Sequence, residues 1–234
     1  MDKETMINVI SQEVYRQIKA MQGSQEPQTV SPQTGGVLLA DMRPGAKVAD
    51  MKQLFEAARR KNSFAVCIPQ WFVSVAKENL VGSKIKIATV IGLPEGTNSP
   101  LAKYAEIKQA VAAGADLVLI PINMDYCRAG DTKAVQKDLA ESLTASRGKA
   151  MAAAVIEVKD LDNSRIIETA QACASVGAEA IILSGIAGGT VQSDQIRDLK
   201  AKGLKVGVIG GASDAGRQSE YKQAGADWLV VRNR

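Results

Sequence analysis

Between Val37 and Arg232 the chain repeats one phrase eight times: a short, continuously apolar run, then a longer stretch with helical spacing. The runs are VLLADM (37–42), FAVCI (64–68), IKIATVI (85–91), LVLIPI (117–122), MAAAVI (151–156), AIILS (180–184), KVGVI (205–209) and WLVVR (228–232). A strand with one wet face would alternate apolar and polar residues. These do not, so they predict strands buried on both faces of a parallel sheet. The intervals predict helices, for example over 99–113, 133–146, 163–176 and 214–224. Eight such units predict a closed (β/α)8 barrel, the TIM barrel, whose chemistry sits at the C-terminal ends of the strands. An open doubly wound sheet is the alternative, but its GxGxxG turn after the first strand is missing. The sequence stops at Arg234, directly after the eighth run. That predicts a barrel lacking its eighth helix, an apolar flank at strands 8 and 1, and a homo-oligomer built across it.

Three junctions share one phrase: AAGAD ending at Asp116, SVGAE ending at Glu179 and QAGAD ending at Asp227. The glycine supplies the left-handed turn that stops a helix, and the acidic residue opens the next strand.

The first residues follow another pattern. Over 1–22 the residues Ile7, Ile10, Val14 and Ile18 recur at spacings of three and four, which predicts an amphipathic helix. Residues 23–36 have no periodicity and are rich in Gln, Pro, Ser, Thr and Gly, which predicts a flexible linker. The barrel is expected over 37–234. A polar tether of this length argues that the apolar stripe serves a partner rather than the barrel.

Composition narrows the chemistry. With no histidine among 234 residues, Ser-His-Asp and Cys-His dyads, histidine zinc sites and a histidine base are excluded. Acid–base or covalent work falls to Lys, Asp, Glu, Tyr or Cys. The net charge of +4 is spread along the chain, so no nucleic-acid surface is expected. Cys67, Cys127 and Cys173 are far apart with no CxxC pair, so neither a disulfide framework nor a metal site is expected, and the cytoplasm is the default location. No apolar run reaches membrane-spanning length, so no membrane partner is expected.

The phrases MRPGAK (42–47), FAVCIP (64–69), IATVIGLPEG (87–96), GADLVLIPIN (114–123), RAGD (128–131), VIE (155–157), GGTV (188–191) and VIGGASDA (208–215), with a helix bearing Lys103 and Glu106, resemble the deoxyribose-phosphate aldolase family in order and spacing. The resemblance implies a class I aldolase barrel needing no cofactor. In that family a strand-6 lysine forms a Schiff base with an aldehyde, and a strand-7 lysine lowers its pKa. Aligned residue by residue, GAEAIILSGI (177–186) puts the Schiff-base lysine at Ile182, and the glycine pair at Gly210 and Gly211 puts the second lysine at Gly207. The family's strand-4 acid falls at Leu119 and a strand-5 lysine at Ala153. The expectation is a family member whose Schiff-base machinery is replaced. The competing expectations are an inactive binding or scaffold protein and an active aldehyde-lyase with a relocated lysine.

The resemblance leaves Gly188, Gly189, Gly210, Gly211 and Arg232 as a phosphate-binding end for a sugar phosphate, with Arg232 either holding the phosphate or blocking it. Candidate catalytic groups are Lys159, just past strand 5, Glu157 and Asn123 at strand ends, and Cys67 in strand 2. Each has a plainer reading: a solvated loop lysine, groups satisfying loop backbone, and a cysteine used as apolar filler. The N-terminal segment resembles the encapsulation peptides of bacterial microcompartment cargo. That implies a shell-protein partner bound through Ile7, Ile10, Val14 and Ile18, and a place inside such a compartment.

Overall fold

The computed structural model describes residues 36–93, 96–210 and 215–233. The chain divides into a unit of residues 1–32 and a unit of residues 33–234. The expected targeting helix over 1–22, its stripe of Ile7, Ile10, Val14 and Ile18, the linker as far as residue 35, and Gly211 all lie outside the described residues.

Eight parallel strands close a barrel in sequence order: β1 (Gly36–Ala40), β2 (Ala65–Cys67), β3 (Lys86–Val90), β4 (Leu117–Pro121), β5 (Met151–Glu157), β6 (Ala180–Ser184), β7 (Val206–Ile209) and β8 (Trp228–Arg232). Ring closure is direct, with Gly36 opposite Trp228 and Ala40 opposite Arg232. The helices between them are α1 (Val48–Arg60), α2 (Val73–Asn79), α3 (Pro100–Ala113), α4 (Met124–Ala129), α5 (Thr132–Leu143), α6 (Asn163–Ser175), α7 (Ser193–Ala201) and α8 (Ala215–Gln223). The β4–β5 connection carries two helices, α4 and α5, separated by Gly130.

The repeated junction phrase has a structural cause beyond the helix stop. Asp116 sits before β4, and its amide donates to the Ile87 carbonyl while its carboxylate accepts from the Ile87 amide at 2.9 Å. Glu179 does the same to Ala152 of β5 at 3.1 Å, and Asp227 to Val206 of β7 at 2.7 Å. Each acid thus takes both polar groups of one residue on the neighbouring strand and fixes the register there. These clamps lie at the strands' starts, the end of the barrel where conserved chemistry is not built.

Alternation along each strand splits the core in two. Outward residues such as Leu39, Val66, Ile87, Val118, Ile156 and Leu183 join helix residues in one cluster, and inward residues fill the barrel. Leu39 and Leu229 face outward on β1 and β8 and are only 2% and 1% exposed. The wet apolar flank expected from the sequence is therefore absent at these positions, because both side chains are packed into the outer cluster. Among the described residues no helix is long and apolar enough to cross a membrane.

Candidate active site at the barrel mouth

The inner wall follows from the same alternation. Leu38, Cys67, Ala88, Leu119, Ala153, Ile182 and Val230 pack with one another inside the barrel, with Ala40, Val90, Val155 and Ile209 above them. The positions that the family alignment assigns to its catalytic side chains are thus interior positions, and here they carry hydrocarbon or nothing. Ile182 stands opposite Gly207 in the β6–β7 register. A Cβ placed on Gly207 would lie 2.5 Å from the Ile182 Cδ1, so the isoleucine has taken the space beside that strand.

Lys86, at the start of β3 and opposite Ala65, is half-buried and pairs with Asp116 at 3.6 Å at the end of the barrel away from the mouth. Lys159 lies in the turn after β5 and is exposed. Among the described residues Lys103 is the one buried lysine, 0% exposed, but it belongs to the helical layer outside the sheet. There its Nζ donates to Asp138 Oδ2 of α5 at 2.6 Å. The sequence reading missed this pair, although Lys103 continues the buried stripe of Ile107 and Ala110 at spacings of four and three. Cys67 is fully buried, and burial raises its thiol to about 12, so at neutral pH it is neither a nucleophile nor a base. Asn123 caps α4, its side chain accepting from the Asp125 amide at 3.0 Å.

One step above Val155 and Ile182, in the same inward phase, the mouth becomes polar at Glu157 and Ser184, which face each other in register. Ser184 Oγ donates to Glu157 Oε2 at 2.8 Å, and the Ala187 amide donates to the same oxygen at 3.1 Å. The Ile186 amide closes onto Ser184 Oγ at 3.3 Å. Ser184 did not stand out in the sequence. Its signal was positional, two residues beyond Ile182 on the same face.

The glycines kept from the phosphate end have packing roles. Gly210 has φ +79, and a Cβ there would lie 3.0 Å from the Gly185 carbonyl carbon. A Cβ on Gly189 would come within 2.8 Å of the Lys159 amide nitrogen. The loops after β5, β6 and β7 therefore touch backbone to backbone. Of the amides after β6, those of Gly185, Ile186, Ala187 and Gly188 already donate within this cluster. Gly188 is exposed with open space beside it. Arg232 ends β8, exposed at the mouth. Its charge helps hold the Asp41 carboxyl below the usual range, after the larger effect of Arg43, whose guanidinium bonds Asp41 at 2.8 and 2.6 Å. A cleft of about 450 Å3, lined by Gly130, Gln136, Glu168 and Ser175 among others, lies on the helical flank, away from the mouth. Among the described residues no group of three or more His, Cys, Asp or Glu is placed to hold a metal ion.

Comparison with known proteins agrees with this architecture. Residues 35–178 match the DeoC/LacD family aldolase. The deoxyribose-phosphate aldolase of Bacillus cytotoxicus is 32% identical over 189 residues, 79% of this chain and 85% of that protein. The corresponding enzyme of Coprothermobacter proteolyticus is 32% identical over 190 residues, 80% of this chain and 86% of the enzyme. Among solved structures, the aldolase QR15 superposes with a TM-score of 0.78 at 25% identity, covering 86% of this chain and 91% of that one. The tetrameric deoxyribose phosphate aldolase of Aeropyrum pernix shares the fold, with a TM-score of 0.75 at 18% identity over 86% of each chain. From the closed eight-stranded barrel, the matched segment and these identities together, this chain belongs to the DeoC/LacD aldolase family.

Proposed function

We propose that this family member binds a small aldehyde or sugar phosphate at the barrel mouth without forming a Schiff base. One observation carries the reading: the Ile182 side chain occupies the space over Gly207, at the two positions where the family's lysines align. A Schiff base needs an unprotonated amine beside the bound carbonyl, and an ordinary amine becomes nucleophilic only when desolvated or crowded by another cation. Lys159 lies in solvent and Lys103 is ion-paired outside the sheet, so neither is a desolvated amine inside the barrel.

We extend the proposal to the N-terminal segment. Its amphipathic spacing and polar tether support delivery of the barrel into a bacterial microcompartment, with Ile7, Ile10, Val14 and Ile18 against a shell protein.

The test of the chemistry is reductive trapping. Incubation with acetaldehyde and borohydride is expected to give no stoichiometric adduct by mass spectrometry, and cleavage of deoxyribose 5-phosphate is expected at background. A single adduct on Lys159 or Lys103 would overturn the reading. The targeting proposal is tested separately by fusing residues 1–36 to a fluorescent protein. Co-purification with shells supports it, and a fusion that stays in the soluble fraction beside intact shells sinks it.

A further inference from the structure

The sequence spreads its charge along the chain, but the fold gathers part of it. In a closed parallel barrel the turns that lead from a helix into the next strand all lie at one end, opposite the mouth. Those turns carry six cations: Lys61 before β2, Lys84 before β3, Arg147 and Lys149 before β5, and Lys202 and Lys205 before β7. Five are exposed and Lys205 is half-buried, and none of the six is ion-paired among the described residues. The acids of these turns are Asp116, Glu179 and Asp227, the three strand clamps. Lys86 balances Asp116 and Lys200 balances Asp227, which leaves Glu179 against the six. In the last helical turns Glu78 and Glu141 stand against Arg60, Lys77 and Lys222, so the helix ends do not reverse the sign.

Helix C-termini also meet at this end, and their partial negative charge accounts for cations in the last turns and at the caps, Lys61 and Lys202 among them. That effect fades beyond the last turn. Lys84, Arg147, Lys149 and Lys205 lie past it, so the helix ends do not call for them. Their arrangement restricts what does. A nucleic-acid duplex is tracked by a stripe of cations, and a single strand needs exposed aromatic rings to stack on. Here the cations run round the rim, and the exposed aromatic residues among those described, Trp71 and Tyr126, follow β2 and β4 at the mouth. A lipid surface needs apolar side chains to bury beside the charge, and at this end Val81 is the one exposed large hydrophobic among the described residues. A broad acidic protein surface needs neither. The chain enters the barrel at this same end, at Gly36, so a tether joined there lets two contacts on one partner reinforce each other.

We propose that this end of the barrel docks on an acidic protein surface, the inner face of the shell to which the N-terminal segment delivers the chain. This rests on the targeting reading and adds a second contact to it, electrostatic where the first is apolar. Complementary charge speeds encounter and fixes orientation, and salt weakens it. A barrel docked by this end keeps its mouth turned away from the shell.

The experiment measures binding to purified shells of the full chain and of the fluorescent protein carrying residues 1–36, at about 50 mM and about 500 mM salt. At low salt the full chain is expected to bind about tenfold or more tightly than the fusion, and at high salt the two should converge. Reversing three exposed, unpaired cations past the helix ends, Lys84→Glu/Arg147→Glu/Lys149→Glu, should remove that advantage. The neutral set Lys84→Gln/Arg147→Gln/Lys149→Gln should fold if the reversed set does not, and should remove part of it. A control with the same change of net charge at the mouth end, Lys47→Glu/Arg128→Glu/Lys133→Glu, should keep it. Equal binding by fusion and full chain, or a control that loses as much as the reversed set, overturns the docking face and leaves the targeting reading standing. Salt-dependent binding of the full chain beside a fusion that does not bind supports the docking face and defeats the targeting helix. Binding by neither defeats both. Binding of a DNA duplex, or of vesicles of phosphatidylcholine and phosphatidylserine, that the reversed set loses while the full chain shows no advantage on shells would assign this end to those partners instead.

Discussion

Ile182 and Gly207 are register partners on β6 and β7, and the isoleucine Cδ1 stands where a side chain on residue 207 would begin. The two positions are therefore coupled, and restoring a lysine at either one alone meets the other. Gly207→Ala is expected to destabilise the barrel by about 1–3 kcal/mol through overpacking. Ile182→Val, which removes the Cδ1 carbon, should cost about 0.5–1.5 kcal/mol by itself. In the double variant the alanine should cost less than in the parent, giving a coupling of about 0.5 kcal/mol or more in a urea-denaturation cycle. Strict additivity would mean that the barrel relaxes around residue 207 without involving Ile182.

The Asp227 clamp gives a second expectation. Its carboxylate accepts from the buried Val206 amide and from Lys200 Nζ at 2.8 Å. Asp227→Ala leaves that amide without an acceptor and should cost about 1–3 kcal/mol. Lys200 is partly in solvent, so Lys200→Met should cost no more than about 1 kcal/mol. Denaturant midpoints of the two variants check the ordering. Equal losses would place the energy in the ion pair rather than in the strand clamp.

The Lys103–Asp138 pair spans α3 and α5, with side chains 1% and 7% exposed. Removing one partner strands a buried charge, so Lys103→Met is expected to cost about 3–5 kcal/mol. The double variant Lys103→Met/Asp138→Leu should recover most of that loss, since an apolar pair of similar volume replaces two desolvated ions. Thermal melts of the two proteins provide the comparison. A double variant no more stable than the single one would show that the pair is part of a wider polar network.

The legible parts of this molecule are those written in period and punctuation. Eight apolar runs gave eight strands because a strand buried on both faces has no polar residues to interrupt it, and the GAD and GAE phrases marked true helix-to-strand junctions. What the acids at those junctions do was not legible, because the amides they bind lie about 20 to 30 residues away in sequence. The same holds at the mouth. Glu157 could be placed at a strand end, but its partner Ser184 lies on the next strand, and only the β5–β6 register brings them together. Lys103 was hidden for a different reason, since a lysine on a helix reads as solvated until its partner on another helix is known. At β1 and β8 the covering of Leu39 and Leu229 was not legible, because the outer residues they pack with come from elsewhere in the chain.

The cysteines yield the last expectation, a dependence on pH. Burial raises Cys67 to about 12 and Cys127 to about 11, and it pushes Cys173 up as well, with a smaller contribution from Cys127 nearby. The native protein should therefore release essentially no chromophore with a thiol-exchange reagent at pH 8, whereas the unfolded chain should titrate all three thiols. The sign for stability follows from proton binding. Above the ordinary thiol pKa of about 8.5 the unfolded chain loses protons that the folded protein keeps, so ionisation favours unfolding. This contribution is fully present below about pH 8.5 and declines as pH rises toward the raised folded values. Cys67→Ala removes one ionising group and should flatten the alkaline fall in the denaturation midpoint, at the cost of a small cavity in the barrel. Rapid labelling of Cys67 in the folded protein at pH 8 would show that the barrel interior opens to solvent.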